Sequence, residues 1–197
     1  MLSLLGLSIG AIVGIALGGL FLFMLILVVA YVWGTYNSLI KLKNNVEEGY
    51  STMDIYLKKR YDLIPNLVET VKGYAKHEKE TLEKVIAARN VAMNATGTDK
   101  VKAEANLTNN IKGLFALSEN YPALQANTNF MDLQNQLKAL EVDIANSRKY
   151  YNGVVKQFNN RIQMFPSNLI ARLFGFTAKE MYEVANAEQR ENVKVQF

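Results

Sequence analysis

The first 40 residues contain no Asp, Glu, Lys, Arg or His, so all 22 basic and 18 acidic residues lie in the later part of this 197-residue chain. A membrane span needs about 20 consecutive apolar residues. Between Ile12 and Val32, fourteen residues are Leu, Ile, Val or Phe. A cleaved signal peptide would have basic residues before its apolar core, and none precede this segment. The sequence therefore predicts an uncleaved single-pass anchor over residues 1–36.

Three aromatic residues close the apolar segment at its downstream end, Tyr31, Trp33 and Tyr36. Amphipathic rings favour the membrane–water interface, so these residues predict where the span ends. Lys41 and Lys43 follow the span and no basic residue precedes it. The positive-inside tendency predicts that the N-terminus lies outside the cell and the large domain in the cytoplasm.

Four glycines recur every four residues in the first half of the span, at Gly6, Gly10, Gly14 and Gly18. Three successive G-x-x-x-G steps form a stripe without side chains, against which a second helix packs closely. The chain has one predicted span, so the packing partner belongs to another chain. A second copy is the simplest partner, and a heterologous helix is the alternative.

Beyond the span, apolar residues recur at helical spacing. The first stripe consists of Val46, Tyr50, Met53, Leu57, Tyr61, Ile64, Val68, Val71 and Ala75. It keeps its phase across Pro65, which predicts a bend rather than an end, and it continues through Leu82, Val85 and Ile86 to a turn at 94–98. Thr98 is predicted to cap a shorter helix with Val101, Ala105, Ile111, Leu114, Phe115 and Ser118 on its inner face.

The longest regular stripe runs for 36 residues and predicts a third helix. It comprises Phe130, Leu133, Leu137, Leu140, Ile144, Ser147, Tyr151, Val154, Phe158, Ile162 and Phe165. Pro166 is predicted to end this helix, Ser167 to cap a short apolar turn, and Gly175 to close that turn. Thr177 to Glu180 has the spacing of a capping box and predicts a last helix. Val193–Phe197 alternates like a strand, which fits either addition to a neighbouring sheet edge or a frayed terminus.

These elements predict an all-α protein in which the transmembrane helix continues into an antiparallel long-helix bundle of the coiled-coil type. We expect three parts: an anchor at 1–36, a bundle domain at 37–176, and a C-terminal helix and extended tail at 177–197.

No pattern in the sequence predicts catalysis or a bound cofactor or metal. Cysteine is absent, and the single histidine, His77, has no second histidine four residues on; we expect it on an exposed helix surface. Interspersed charges give no reason to expect nucleic-acid binding. Lys58-Lys59-Arg60 is predicted to be a solvated or ion-paired face of the bundle rather than a lipid site. Leu169–Phe176 either contacts a membrane or partner, or covers the end of the bundle.

The chain resembles the LemA family of bacterial membrane proteins over nearly its whole length. The resemblance rests on a long run from Lys58 to Ala75, which includes Asp62, Pro65 and Asn66 at the expected helix kink, and on shorter motifs at Tyr36-Asn37-Ser38-Leu39, His77-Glu78, Ala88-Arg89, Tyr121-Pro122, Asn129-Phe130, Leu133-Gln134, Ile144-Ala145, Tyr151-Asn152, Phe158-Asn159, Phe165-Pro166 and Gly175-Phe176. The sequence departs from the family's usual Ala-Trp at Gly49-Tyr50 and from its Ile-Asp-Val-Gln at Met53–Tyr56.

The resemblance implies an N-terminal anchor in the bacterial inner membrane and a helical domain, and it carries over no activity. Genes of the LemA family often neighbour those of an HtpX-like membrane metalloprotease. Three hypotheses follow, each with membrane lipid as a partner. The chain is a non-enzymatic homo-oligomeric membrane scaffold, an adaptor or regulator of a membrane protease, or a pore or membrane-remodelling oligomer; a polar lumen is hard to build from a span without charges.

Overall fold

The computed structural model describes residues 9–182, and within that range all regular structure is helical. The helices are α1 (Ile9–Tyr74), α2 (Lys79–Asn94), α3 (Gly97–Ser118), α4 (Pro122–Gln125), α5 (Thr128–Gln163) and α6 (Ser167–Leu173). The predicted all-α fold is confirmed. α1 continues through Pro65, so the proline does not end the helix.

The chain divides into two compact units, and α1 and α5 each contribute to both. Among the described residues, unit 1 contains 9–45 together with Gln157–Lys179, and unit 2 contains Val46–Lys156 together with 180–182.

Unit 2 is a helical bundle in which α1 and α5 run in opposite directions. The ring of Tyr50 lies 5.8 Å from that of Tyr151, and farther along α1, Tyr74 accepts a hydrogen bond from Asn127 at 2.9 Å. Asn127 immediately precedes α5, so the numbers of the partner residues fall as those on α1 rise. Gly49 allows close approach near one end, because a Cβ atom there would lie 3.3 Å from Cγ2 of Val154.

The other two long helices, α2 and α3, complete the bundle and pack against each other. α2 is joined to α1 through Arg89, whose Nε donates to the carbonyl oxygen of Tyr61 at 2.7 Å. Gly97 opens α3 with a φ of 57°, a backbone conformation that favours glycine. The largest fully buried apolar side chains of unit 2 are Met53, Leu57, Ile64, Leu67, Leu107, Leu114, Leu124, Phe130 and Ile144. Burial of this apolar surface is the main force that holds the bundle together.

Three local predictions for unit 2 were wrong. The first predicted helix is two helices, because the backbone turns at 75–78 and places His77 in that turn rather than on a helix. α3 begins at Gly97 with Thr96 as its N-cap, so Thr98 lies inside the helix. Ala105 is exposed and Tyr50 is 44% exposed, whereas Leu107 and Gly49 are buried. The inner stripe on each helix is displaced from the predicted register near these residues.

Unit 1 contains the apolar part of α1, the end of α5, and α6. Tyr36 on α1 packs against Phe174 and Phe176, with ring centroids 4.7 and 6.0 Å apart. Phe158 on α5 also contacts Phe176, at 6.3 Å. These rings form the aromatic cluster that holds the α6 region on α1 and α5.

The C-terminal predictions were correct in part. α5 ends at Gln163, and Gly175 has the expected positive φ of 72°. Phe165 does not belong to the buried stripe, since it is 79% exposed. Ser167 does not cap α6; its hydroxyl lies 2.6 Å from the carbonyl oxygen of Arg161 and 2.9 Å from that of Met164, and its one proton is available to these two acceptors. The last helix, which the capping-box spacing of Thr177 to Glu180 predicts, does not form over 177–182. The rest of the predicted last helix and Val193–Phe197 lie outside the described residues.

Candidate functional site

Among residues 9–182, the largest fully buried side chain is a charged one, Arg60 in the unit 2 bundle. Its Nη2 is paired with the carboxylate of Glu104 on α3, which is also completely buried. Its Nη1 bonds the carboxylate of Glu141 on α5 at 2.8 Å and the hydroxyl of Thr108 at 3.0 Å. One guanidinium therefore links three helices.

Tyr61 extends the same cluster toward α2. Its hydroxyl donates to the second carboxylate oxygen of Glu104 and lies 3.3 Å from the carbonyl oxygen of Ala92. Burial raises the pKa of the Tyr61 phenol above its usual value, and the bond to the Glu104 carboxylate raises it further. The phenol is therefore a neutral donor at physiological pH, which suits a carboxylate that also binds an arginine.

The position of Arg60 follows from helix geometry. Successive residues on α1 are rotated by about 100°, so three adjacent basic residues cannot share a face. Arg60 lies three residues after Leu57 and four before Ile64, both fully buried, whereas Lys58 and Lys59 are exposed. Of the basic cluster predicted at 58–60, Arg60 makes bundle ion pairs and the two lysines are solvated.

Both terminal nitrogens of the Arg60 guanidinium are bonded within this cluster, whereas its Nε is buried without a hydrogen-bond partner. Glu104 already accepts from both Arg60 and Tyr61, which leaves little capacity for a substrate. A cavity of about 220 Å³ adjoins the cluster and is lined mainly by apolar groups. The arrangement joins α1, α3 and α5 through one side chain, and setting helix register is the best-attested role of such buried ion pairs.

A second polar arrangement holds the segment after Lys179 on α5 in unit 2. The side-chain amide of Asn152 donates to the carbonyl oxygen of Tyr182 at 3.0 Å and accepts from its N–H at 2.7 Å. The hydroxyl of Tyr151 donates to the carbonyl oxygen of Glu180 at 2.9 Å. The Tyr182 ring is buried beneath the Arg148 guanidinium, 4.9 Å from its centroid. Burial raises the pKa of Tyr182 to about 12.

An open groove of about 880 Å³ lies between α1 and α2 in unit 2. Its apolar floor includes Val68, Leu82 and Ile86, and its rim carries both lysines and glutamates. No group of three or more His, Cys, Asp or Glu side chains suited to a metal occurs among residues 9–182. The groove thus presents an apolar floor between charged rims.

The predicted membrane residues lie on the apolar part of α1. Within residues 9–182, α1 is the one helix long and apolar enough to cross a membrane, by length and composition. Gly10, Gly14 and Gly18 are exposed, and nothing lies within 4 Å of a Cβ placed at Gly14 or Gly18; Gly6 lies outside the described residues. Tyr31 and Trp33 are exposed, and Tyr36 is half-buried. Helix packing by the glycines and interface placement of the aromatic residues stay predictions.

The residues of the expected kink motif do not converge on a site. Asp62 and Asn66 are exposed and Pro65 is half-buried within α1. Asp62 lines a shallow hollow with Lys59 and Asp143. The bend at Pro65 stays a prediction.

The model of the LemA family matches residues 49–197. The chain belongs to the LemA family. This match covers the bundle and leaves the apolar segment of α1 outside it, so membership concerns unit 2 above all. The buried Arg60 cluster lies wholly within the LemA region.

Two kinds of relative share this LemA-type sequence. Protein LemA of Metamycoplasma hominis is 25% identical over 161 residues, which cover 79% of this chain and 72% of the relative. Magnetosome proteins MamQ 1 and MamQ 2 of Paramagnetospirillum magneticum are each 21% identical over 175 residues, covering 75% of this chain. The chain spans 64% of the length of each MamQ protein.

Sequence reasoning missed Glu104, Thr108 and Glu141 as members of one cluster. A charged residue in a helical pattern is ordinarily assigned to the solvent face, because unpaired burial of a charge is costly. A signal was nevertheless present, since Glu104 stands between the buried Val101 and Leu107 at helical spacing. Arg60 occupies the equivalent position between Leu57 and Ile64.

Proposed function

We propose that this LemA-family chain is a non-enzymatic, single-pass membrane protein that self-assembles through its glycine-rich span and acts as a scaffold. The observation that carries the proposal is the exposure of the apolar part of α1. Residues 12–31 are all exposed in the single chain, including Gly14 and Gly18. Lipid and a second apolar helix are the two surroundings that suit such a surface.

The bundle supports a structural role. Its fully buried cation, Arg60, is ion-paired with Glu104 and Glu141. A bundle whose buried charges are internally paired is suited to hold a fixed shape and present its surface to partners. We place the span in the bacterial inner membrane with the bundle in the cytoplasm, since Lys41 and Lys43 follow the span.

The test is the native mass of the full-length protein in lipid discs. We expect a defined multi-copy assembly for the natural sequence and a monomer for Gly10→Leu combined with Gly14→Leu, because leucine side chains separate helices that touch at glycine. Gly19→Leu is the matched control. Gly19 is an exposed glycine of the same helix with nothing within 4 Å of its added Cβ, but it lies about 140° around the axis from Gly14.

Each outcome discriminates among the hypotheses. An unchanged assembly in the double variant would overturn self-assembly through the glycine row. A monomer of the natural sequence would favour the membrane-protease adaptor, in which the glycines meet a heterologous helix. A closed ring of many copies would favour the pore or membrane-remodelling alternative.

A further inference from the structure

Unit 1 carries a second apolar surface, separate from the span, where α5 gives way to α6. The residues between 164 and 174 expose five large apolar side chains, Met164, Phe165, Leu169, Leu173 and Phe174. Phe165 and Leu173 are 79% and 76% exposed. Leu169 and Leu173 are one helical turn apart on α6 and share a face, whereas Ile170 and Ala171 are buried. A short helix with apolar residues on both faces requires a second apolar neighbour.

Tyr36 fixes the level of this surface along α1. Its ring contacts that of Phe174, 4.7 Å away between centroids. Tyr36 lies three residues beyond Trp33, a rise of about 4.5 Å along the helix axis. Trp33, at 69% exposure, is one of the three aromatic residues expected at the membrane–water boundary, with Tyr31 and Tyr36. An interfacial helix buries its apolar face to a depth of about 5–10 Å, so α6 lies at the level of that boundary.

The charges of unit 1 have one sign. Its sequence contains five basic residues, Lys41, Lys43, Arg161, Arg172 and Lys179, and no Asp or Glu. The remainder of the chain holds the other 17 basic and all 18 acidic residues. Arg172 is exposed on α6 between two exposed apolar neighbours, Leu169 and Leu173. A long basic side chain in that position reaches headgroups while its neighbours enter the acyl region.

We propose that α6, with Phe165 and Phe174, is an interfacial anchor that enters the same leaflet as the downstream end of the span. The apolar face lies at the headgroup–acyl boundary, and Arg172 binds anionic phospholipid headgroups. This inference rests on the membrane-spanning part of the proposed function and does not depend on self-assembly.

Tryptophan quenching by lipids tests the inference on the full chain. The natural protein has one tryptophan, Trp33, which reports the end of the span. In a Trp33→Phe background, Leu173→Trp places a tryptophan on the outer face of α6. In vesicles of phosphatidylcholine and phosphatidylglycerol with brominated acyl chains, we expect Leu173→Trp to be quenched about as strongly as Trp33. Val142→Trp in the same background is the control, since Val142 is 61% exposed on the bundle; we expect it to be quenched several-fold less.

The two proposals fail in different ways. Quenching of Trp33 without quenching of Leu173→Trp overturns the α6 anchor and leaves the span in place. A blue-shifted but unquenched Leu173→Trp emission also overturns it and assigns the face to a protein. An unquenched Trp33 overturns the membrane span itself.

The headgroup preference has its own test. Leu173→Trp quenching is expected to increase with the share of phosphatidylglycerol, and Arg172→Gln is expected to reduce that increase. Lys59→Gln, an exposed lysine of the bundle, serves as the control that retains it. Equal quenching at every phosphatidylglycerol content would overturn the role of anionic headgroups.

Discussion

The two units of this chain assign opposite roles to apolar and charged residues. Unit 2 buries its apolar stripes and even encloses an arginine and a glutamate, Arg60 and Glu104, at its centre. Unit 1 exposes most of its large apolar side chains and has only basic charges. The difference shows that helical periodicity alone does not determine what an apolar stripe will contact. In unit 2 that contact is another helix of the same chain, whereas the apolar surface of unit 1 calls for lipid or a second chain.

The largest effect on unit 2 is expected from removal of the buried positive charge of Arg60. Arg60→Met leaves Glu104 buried with Tyr61 alone, and we expect the free energy of unfolding of the bundle to fall by about 3–5 kcal/mol. The measurement is unfolding of the full-length protein in detergent, followed by circular dichroism. Lys59→Met, at the exposed neighbouring position, should change it little. Adding Glu104→Leu to Arg60→Met should recover most of the loss, and a double variant as unstable as the single one would contradict this account.

The close approach of α1 and α5 in unit 2 should give the next largest effect. Gly49→Leu introduces a side chain where even a Cβ would lie 3.3 Å from Val154, and overpacking of this kind costs about 1–3 kcal/mol. Gly113→Leu on α3 is the control, because nothing lies within 4 Å of its added Cβ. Chemical denaturation of the two variants compares them directly. Equal midpoints would show that α5 is not held tightly against α1.

The buried tyrosines predict a loss of bundle stability at high pH. A tyrosine in the unfolded chain ionises near pH 10, whereas the pKa of Tyr182 in the fold is raised to about 12. Between these pH values the unfolded state binds fewer protons than the folded state. The contribution of Tyr182 to the free energy of unfolding is therefore fully present below pH 10 and falls above it, by about 1.4 kcal/mol per pH unit for one tyrosine.

Unfolding measured from pH 9.5 to 11.5 should therefore show a shallower decline for Tyr182→Phe than for the natural sequence. Tyr150→Phe provides the comparison, because Tyr150 is 48% exposed. Identical slopes for Tyr182→Phe and the natural protein would rule out Tyr182 as a source of the effect.

The smallest effect is expected where an apolar side chain lies outside both cores. Leu173→Gln should change bundle stability by no more than about 0.5 kcal/mol, as is usual for an exposed position. Leu57→Gln, at a fully buried position, should cost several kcal/mol because it buries an amide. Thermal unfolding of both variants measures the contrast. A large loss with Leu173→Gln would mean that unit 1 relies on α6 for its fold rather than for an external contact.

The regularity of the helices made much of the bundle predictable. The stripe from Phe130 to Phe158 stayed in phase because α5 packs along one face for its whole length. The turn at 75–78 escaped notice because Ala75 and Leu82, which are both buried, preserve a seven-residue spacing across it. Helical spacing predicts that Phe165 belongs to the core, because spacing does not reveal where burial stops.

The polar centre was less predictable, for a reason that applies to any single sequence. The partners of Arg60 lie 44 and 81 residues away, and their pairing depends on how whole helices align. Local patterns identify the inward position of Arg60 but assign its charge outward, since burial is favourable only once the partners are in place. The exposed glycines of the span present the opposite case, in which the local motif is clear and its partner is not part of the folded chain.

The sequence separation of these partners also determines how long after Arg60 each carboxylate is synthesised. At about 5–20 residues per second, Arg60 is made roughly 2–9 s before Glu104, the partner 44 residues later, and roughly 4–16 s before Glu141, 81 residues later. During the first interval neither Glu104 nor Glu141 has been made, so Arg60 on the inward face of α1 lacks both of its carboxylate partners. Translation speed through α2 and α3 therefore determines how long the nascent chain exposes that face to chaperones and proteases.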